Sequence, residues 1–246
     1  MSSFFCTNYI LDINEKPKQK SNLSTQIIYG EKIKILNKKN NFYKIKSVHD
    51  NYTGYAKKIS YKLNLNPTHK VKKLKSRVFT NNKKFLKTKF YLPLNSRIRI
   101  LNKKNQYVEF EKNKWVKKCD ISNIDYKMNF QSITKMFLKC KYLWGGKTFE
   151  GIDCSALIQI TYNFNNNFFD RDTNKQINFK KGQKNKRNYK LGDLIYWKGH
   201  VAICLNSKKL IHAYGPRKKV LIMPINHTIK LIEKTAGLKV KKIYSI

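Results

Sequence analysis

Three residues in the second half of the sequence have side chains that could form a nucleophilic site: Cys154, His200 and His212. Cys154 follows an aspartate and precedes an apolar stripe at helical spacing over 157–164, which predicts a helix that begins with Asp153 as its cap. The N-terminus of a helix carries partial positive charge, so we expect a lowered thiol pKa at Cys154. Such a thiolate could attack a carbonyl carbon, provided that a base takes up the thiol proton.

The two histidines are expected on neighbouring antiparallel strands. The segment GHVAICL (199–205) alternates as a strand does, and LIHA (210–213) follows it after a short Asn-Ser turn. Alternation lets His200 and His212 face the same way, so one imidazole could take the thiol proton while the other orients it. Two strand histidines could also be structural or bind a metal. No third and fourth ligand lies at zinc-like spacing, so we predict no metal.

The first half of the sequence contains an internal repeat. The hexapeptide ILNKKN occurs at 35–40 and again at 100–105. The flanking segments align as well: KIKILNKKNNFYKIK (32–46) with RIRILNKKNQYVEFE (97–111), and GYAKK (54–58) with KWVKK (114–118). Both copies alternate with a period of two, which is typical of short half-buried strands. The repeat therefore predicts two small β-barrels.

These repeat units resemble bacterial SH3-like domains. The first copy carries the YGEKIKIL segment (29–36) and the closing GYA (54–56) of such domains. The second copy is more divergent, since LNS (94–96) stands where Tyr-Gly-Glu would be expected. Such modules bind peptide or glycan ligands or act as structural spacers, and the sequence leaves both interpretations open.

The C-terminal part resembles the NlpC-type cell-wall cysteine peptidases, through six motifs that occur in the order and spacing of that family. They are YLWGGK (142–147), GIDCSAL (151–157), RDTNKQ (171–176), GDLIYW (192–197), GHVAI (199–203) and HA (212–213). The resemblance implies an α+β fold: a papain-like cysteine peptidase domain, with helices packed on an antiparallel sheet, preceded by two small SH3-like β-barrels. The implied domains are 1–66 (SH3-like), 67–125 (second, divergent SH3-like) and 126–246 (peptidase).

The resemblance also assigns roles. It makes Cys154 the nucleophile, His200 the base and His212 the third member of a Cys-His-His triad. The positions that match substrate-binding residues of the family are Tyr142, Asp153 and Ser155. No cofactor is implied.

The predicted function is hydrolysis of an amide bond in peptidoglycan stem peptides, next to D-glutamate. The partners are then stem peptides or free muropeptides. Two alternatives stay open: an amidase or acyltransferase on the same fold, and a non-catalytic protein that binds an anionic polymer.

The composition is strongly basic. The 246 residues include 53 Lys+Arg against 14 Asp+Glu, which gives a formal net charge of +39. A hydrophobic fraction of 41% with 13% aromatic residues excludes disorder as the main interpretation. Such a charge suggests nucleic acid, but arginine, which clamps phosphates and reads guanine, is rare here and the lysines are spread along the chain. We therefore predict no specific nucleic-acid partner; compositional drift and contact with an anionic wall polymer account for the charge.

The sequence leaves the compartment open. No apolar run approaches the roughly 20 residues of a membrane span, and no basic stretch followed by an apolar run marks a secretory signal at the N-terminus. The five scattered cysteines do not predict a disulfide framework. The chain could recycle wall fragments in the cytoplasm or be exported by another route.

Overall fold

The structure is a computed structural model that describes residues 3–39, 41–81 and 83–245. The chain divides into two compact units. The first comprises Met1–Lys127 and Gly145–Phe149, and the second comprises Met128–Trp144 and Glu150–Ile246. The short segment Gly145–Phe149 thus belongs to the first unit, although the chain on both sides of it belongs to the second.

The first unit is built of short strands that pair antiparallel. They are β1 (Ser3–Cys6), β2 (Ile10–Asn14), β3 (Leu23–Ile28), β4 (Lys32–Lys39), β5 (Phe42–Ser47), β6 (Thr53–Ala56), β7 (Tyr61–Lys62), β8 (His69–Val71), β9 (Lys75–Asn81), β10 (Phe85–Pro93), β11 (Arg97–Ile98), β12 (Asn102–Lys104), β13 (Tyr107–Glu111), β14 (Lys114–Lys117) and β15 (Ile121–Asn123). A further strand, β16 (Lys147–Thr148), lies in the segment Gly145–Phe149. Their sheets have the orders β3-β2-β6-β5-β4-β1-β7, β10-β9-β14-β13-β12 and β11-β8-β15.

The two copies of the sequence repeat pair their strands in the same register. In the first copy, Lys44 on the middle strand β5 pairs with Asn37 on β4 and with Tyr55 on β6. In the second copy, Glu109 on the middle strand β13 pairs with Asn102 on β12 and with Trp115 on β14. These partners are the positions that the sequence alignment matched. The repeated segments therefore fold into the same three-stranded arrangement, although the loop before β14 is shorter than the loop before β6.

Two apolar clusters fill the first unit. One combines residues of both repeats, and within it the fully buried Tyr29 meets Phe110 edge to face, with ring centroids 5.3 Å apart. The other lies within the first repeat and includes Leu11, Ile33 and Ile45. Because one cluster draws on both repeats, the two copies share part of their apolar core.

A buried ion pair holds the segment Gly145–Phe149 in the first unit. The Lys147 ammonium lies 2.9 Å from both carboxylate oxygens of Glu31, and its side chain is 5% exposed. The backbone N–H of Lys147 donates to the side-chain oxygen of Gln26 at 2.8 Å. Glu31 belongs to the Tyr-Gly-Glu segment that the first repeat shares with SH3-like domains.

The second unit combines an antiparallel sheet with α-helices, four of which lie in its described residues. Its strands are β17 (Gly151–Ile152), β18 (Leu194–Trp197), β19 (His200–Cys204), β20 (Lys209–Tyr214), β21 (Lys219–Pro224) and β22 (Lys242–Tyr244), and the sheet order is β21-β20-β19-β18-β22. The helices are α1 (Phe130–Met136), α2 (Cys154–Phe164), α3 (Thr173–Gln176) and α4 (Ile225–Ala236).

Helix α2 is the buried centre of this unit. All of its residues except Tyr162 are buried, and it contacts β19 and β20. Its N-cap is Asp153, whose carboxylate accepts the backbone N–H of Ala156 at 2.8 Å. The predicted start of the helix is confirmed, and Cys154 is its first residue.

Within the described ranges, no helix has the length and apolar character that crossing a membrane would require.

Candidate active site

The thiol of Cys154 lies at the N-terminus of α2, beside the start of β19. Its Sγ is 3.9 Å from the carbonyl oxygen of Gly199, and the backbone N–H of Val201 hydrogen-bonds to the sulfur. Gly199 and Val201 flank His200 in the chain. Cys154 and Gly199 are 45 positions apart in the sequence. Folding therefore brings the thiol against the segment that carries the first histidine.

The two histidines are hydrogen-bonded across neighbouring strands. Nε2 of His200 lies 2.9 Å from Nδ1 of His212, and β19 pairs antiparallel with β20. His212 is fully buried, and its ring is stacked on that of Tyr214 at a centroid distance of 4.8 Å. Because the Nε2 atom of His200 is engaged by His212, Nδ1 is the ring nitrogen that remains for the thiol.

Burial sets the protonation of all three groups. It raises the pKa of the Cys154 thiol to about 12, and the neighbouring Asp153 carboxylate acts in the same direction. The N–H groups of Val201 and Ser155 and the charge of Arg171 lower this pKa, but they do not outweigh burial. The expectation of a lowered thiol pKa is therefore wrong for this site, because the helix terminus acts here on a sulfur that is shielded from water.

The histidines are kept neutral by the same cause. Burial lowers the pKa of His200 to about 4. Burial lowers the pKa of His212 to about 3, and a proton on the neighbouring His200 acts in the same direction. Near pH 7 the site therefore holds a neutral thiol beside two neutral imidazoles, rather than a thiolate and an imidazolium.

Next to the thiol lies a buried charged cluster. Two guanidinium nitrogens of Arg171 bind the two carboxylate oxygens of Asp153, at 3.0 and 2.6 Å. Arg171 also donates to the hydroxyl of Ser155 at 2.9 Å, and that hydroxyl donates to Asp153 at 3.1 Å. The predicted substrate-binding pair Asp153 and Ser155 is thus held by an arginine to which the sequence reasoning gave no role.

A second residue without a predicted role, Gln176, supports the same helix end. Its side-chain amide donates to the carbonyl oxygens of Ser155 at 3.0 Å and Asp170 at 2.8 Å. Arg171 and Gln176 are the first and last residues of the RDTNKQ motif. The motif marked both residues in the sequence, but a short motif does not indicate which partner each side chain contacts.

Tyr142 reaches the site through backbone pairing. It bridges to Ile152, two residues before Cys154, and its N–H donates to the carbonyl oxygen of Lys218 at 2.9 Å. Burial raises the pKa of the Tyr142 phenol, and the negative charge of Asp153 acts in the same direction. The phenol therefore stays protonated and can donate a hydrogen bond.

Within the described ranges, no group of three or more His, Cys, Asp or Glu side chains is arranged to hold a metal ion.

Comparison with known families matches two parts of the chain. Residues 139–235 match the NlpC/P60 family, and residues 14–58 match the bacterial dipeptidyl-peptidase Sh3 domain. The chain carries an NlpC/P60 domain. This domain contains Cys154, His200, His212 and the Asp153–Arg171 pair, and it is preceded by an SH3 domain in the first repeat.

Two curated relatives match part of the chain. Dipeptidyl-peptidase 6 of Lysinibacillus sphaericus is 32% identical over 95 residues, which are 36% of this chain and 32% of that protein. Gamma-D-glutamyl-L-lysine dipeptidyl-peptidase of Bacillus cereus is 33% identical over 112 residues, which are 42% of this chain and 33% of that protein. The chain matches about a third of the length of each of these relatives.

A solved structure shares the fold over nearly the whole chain. An NlpC/P60 family protein from Bacillus cereus matches with a TM-score of 0.82 and 19% identity, over 98% of this chain and 98% of that one. The NlpC/P60 fold therefore extends to this chain despite the low identity.

Proposed function

We propose that this protein is a cysteine peptidase that hydrolyses the amide bond after D-glutamate in peptidoglycan stem peptides, with Cys154, His200 and His212 as its triad. The observation that carries the proposal is the position of Cys154 at the start of the buried helix α2, against the strand on which His200 is hydrogen-bonded to His212. The curated relatives, both named as dipeptidyl-peptidases and one as acting on a gamma-D-glutamyl-L-lysine bond, support this substrate class.

The resting protonation implies the order of events. Since the thiol and both imidazoles are neutral, Sγ of Cys154 gives its proton to Nδ1 of His200 as it attacks the carbonyl carbon. His212 accepts the Nε2–H of His200 and so stabilises the imidazolium that forms. His200 then returns the proton to the leaving amine, and water later hydrolyses the acyl-cysteine.

Charge that develops on the substrate oxygen needs donors near the thiol. The backbone N–H of Cys154, the first residue of α2, is the donor proposed here, because the first turn of a helix has no internal partners for its N–H groups; the N–H of Ala156 is already bound by the Asp153 carboxylate. The protonated phenol of Tyr142 supplies a further donor. Asp153 and Ser155, held by Arg171, are proposed to bind the substrate beside the scissile bond.

A direct test uses the purified protein and tetrapeptide stems that carry lysine or diaminopimelate at the third position. We expect release of the N-terminal dipeptide, and we expect Cys154→Ala to abolish it. Cys119→Ser is the matched control, because Cys119 is exposed and lies in the first unit, and this variant should keep full activity. If the unaltered protein cleaves none of the tetrapeptide stems, the proposal is wrong.

The same reaction mixtures, supplied with an added amine, separate the acyltransferase alternative, whereas an amidase, which is also a hydrolase, is recognised by which bond it cuts. A hydrolase yields only the free acid at the new carboxyl terminus. If mass spectrometry instead finds the acyl group on an added amine, the chain is a transferase on this fold.

We also propose the finer domain organisation that the sequence predicts: SH3-like barrels at 1–66 and 67–125 and a papain-like peptidase domain at 126–246. The equal strand register of the two repeats supports the second, divergent SH3-like domain. The antiparallel sheet contacted by α2 supports the papain-like packing. A crystal structure of the whole chain tests both assignments.

A lysine-lined cavity favours contact with an anionic wall polymer as an additional role. The cavity has a volume of about 720 Å³ and lies in the second unit. The described residues that line it include no Asp or Glu but five lysines: Lys184, Lys198, Lys239, Lys241 and Lys242. Lysine acts on phosphate as a point charge without bidentate geometry, which suits a repeating polyanion better than one specific ligand.

The polymer proposal is tested with a synthetic poly(glycerol phosphate) and two double variants. Lys241→Ala with Lys242→Ala should weaken binding about tenfold at low salt, since each surface ion pair is worth up to roughly 1 kcal/mol. Lys57→Ala with Lys58→Ala removes the same charge from exposed positions of the first unit and should have little effect. Equal loss in both variants would show that binding depends only on net charge.

A further inference from the structure

A methionine contacts the far side of the hydrogen-bonded histidine pair. Nε2 of the His212 ring lies 3.3 Å from the thioether sulfur of Met223, while Nδ1 of the same ring faces His200 at 2.9 Å. Both ring nitrogens of His212 are therefore engaged, one by an imidazole and one by a sulfur. Neither the internal repeat nor any motif of the sequence pointed to Met223.

The strand register explains this contact. On β20 and β21, His212 is paired with Leu221, and Met223 is two residues further along β21. Residues two apart on a strand lie on the same face, so Met223 is the diagonal neighbour of His212. The side chain of Met223 also packs against the apolar cluster around Leu210 and Tyr214, which limits the positions that its sulfur can take.

A thioether sulfur is a weak acceptor and has no proton to donate. The His212 tautomer with its proton on Nε2 gives that N–H an acceptor in Met223. The opposite tautomer would point the Nε2 lone pair at the lone pairs of the sulfur. Methionine at this position therefore favours one tautomer, because the state of one ring nitrogen is set by the hydrogen bond that the other makes.

The tautomer of His212 in turn determines the tautomer of His200. With its proton on Nε2, His212 can only accept at Nδ1, so His200 must donate from its own Nε2. The Nδ1 atom of His200 then carries a lone pair, which is the state that can take the proton of Cys154. In the opposite arrangement Nδ1 of His200 would hold a proton and could not act as a base.

We propose that Met223 is a positioning residue that fixes the tautomers of His212 and His200 and thereby keeps His200 ready as the base; this rests on the triad of the proposed function. Met223 acts through His212 and need not touch the substrate. The role differs from simple packing, since a hydrocarbon of the same size would fill the space without accepting a hydrogen bond.

The tautomer is read directly by nuclear magnetic resonance on protein with ¹⁵N-labelled histidine rings. In the unaltered protein, Nε2 of His212 should give a protonated signal and Nδ1 an unprotonated one. In Met223→Leu, which keeps the apolar volume, the two signals should move toward each other as both tautomers become populated. Unchanged signals in Met223→Leu would overturn the proposal, whatever the enzymatic activity.

Kinetics supply the second measurement. Losing one modest hydrogen bond should lower kcat for stem-peptide hydrolysis about fivefold and leave KM unchanged. Met223→Gln, whose amide oxygen can accept the same N–H, should recover most of the loss. Met136→Leu in α1 is the matched control for the Met-to-Leu exchange and should keep both the ring signals and kcat.

The two measurements also separate the failure of this inference from a failure of the proposed function. If the unaltered protein cleaves no stem peptide but Met223→Leu shifts the ring signals, the tautomer role stands and the substrate assignment falls. If cleavage occurs and Met223→Leu keeps both kcat and the signals, the positioning role falls alone.

Discussion

At the scale of single residues, the candidate site places neutral reacting groups beside one strong ion pair. Cys154, His200 and His212 are uncharged near pH 7, because burial raises the thiol pKa and lowers both imidazole pKa values. Arg171 and Asp153 stay paired beside them in the same buried region. The site therefore avoids an unpaired buried charge until substrate is attacked.

The pH dependence of catalysis follows from the pKa of His200. This histidine has to be neutral to accept the thiol proton, and burial lowers its pKa to about 4. As pH falls from 7, kcat/KM should therefore hold until it drops through about pH 4, rather than near the ordinary histidine value of about 6.5. Stem-peptide hydrolysis from pH 3.5 to 8 measures this, with circular dichroism at each pH to verify folding; a half-loss above pH 6 would contradict it.

The Arg171–Asp153 pair should matter strongly for stability. Arg171→Met leaves the Asp153 carboxylate buried without its partner, which should cost about 3–5 kcal/mol in the free energy of unfolding. Urea unfolding measures the loss, and Arg217→Met, at an exposed position, should stay within about 0.5 kcal/mol of the unaltered protein. Equal effects of the two variants would mean that the buried pair contributes nothing.

At the scale of elements, the space around the backbone distinguishes two glycines that share a left-handed conformation. Gly30, between β3 and β4, has φ +83°, and a Cβ there would collide with the backbone carbonyl of Arg97. Gly237, at the C-terminus of α4, has φ +64° with open space around it. Both need the left-handed conformation, but only Gly30 also needs the absence of a side chain.

Alanine substitution should therefore affect the two positions unequally. Gly237→Ala should destabilise the protein by about 1 kcal/mol, the cost of a left-handed alanine. Gly30→Ala should cost clearly more, because β3 and β4 must move away from Arg97 in addition. Differential scanning calorimetry of both variants provides the comparison, and equal shifts in melting temperature would show that the close approach to Arg97 is relieved without cost.

The elements themselves were the most predictable part of this fold. The cap at Asp153, the start of α2 and the short strands of both repeats depend on residues close in sequence, so capping and alternation predicted them. The segment Gly145–Phe149 is different: the YLWGGK motif, which overlaps it, contributed to the family resemblance and did not indicate the unit to which the segment belongs. Its place in the first unit depends on the Lys147–Glu31 pair, which joins residues 116 positions apart.

At the scale of the whole molecule, the dominant property is the net charge of +39. Salt bridges among the described residues involve few of the lysines. So large an excess of one sign repels itself in the compact state and destabilises it. The charge is therefore a cost to folding as well as a means of attracting anionic polymers.

Stability should accordingly rise with ionic strength. Raising NaCl from 0.02 to 0.5 M shortens the screening length from about 20 Å to about 4 Å and should raise the melting temperature. A variant with Lys57→Glu and Lys58→Glu, at exposed positions, should show a smaller rise because it carries less excess charge. A melting temperature that falls with NaCl would show that self-repulsion is not what limits stability.

The sequence by itself determined the family resemblance, the helix that begins at Cys154, the adjacent histidine strands and the duplicated set of short strands. Each of these rests on local rules of capping, alternation and spacing, which neighbouring residues satisfy. Only the tertiary structure decided that the thiol rests protonated, that Arg171 holds Asp153, and that Met223 meets His212. The physical reason is that solvent exclusion and long-range contacts arise when distant segments pack together, and here burial outweighs the local field of the helix terminus.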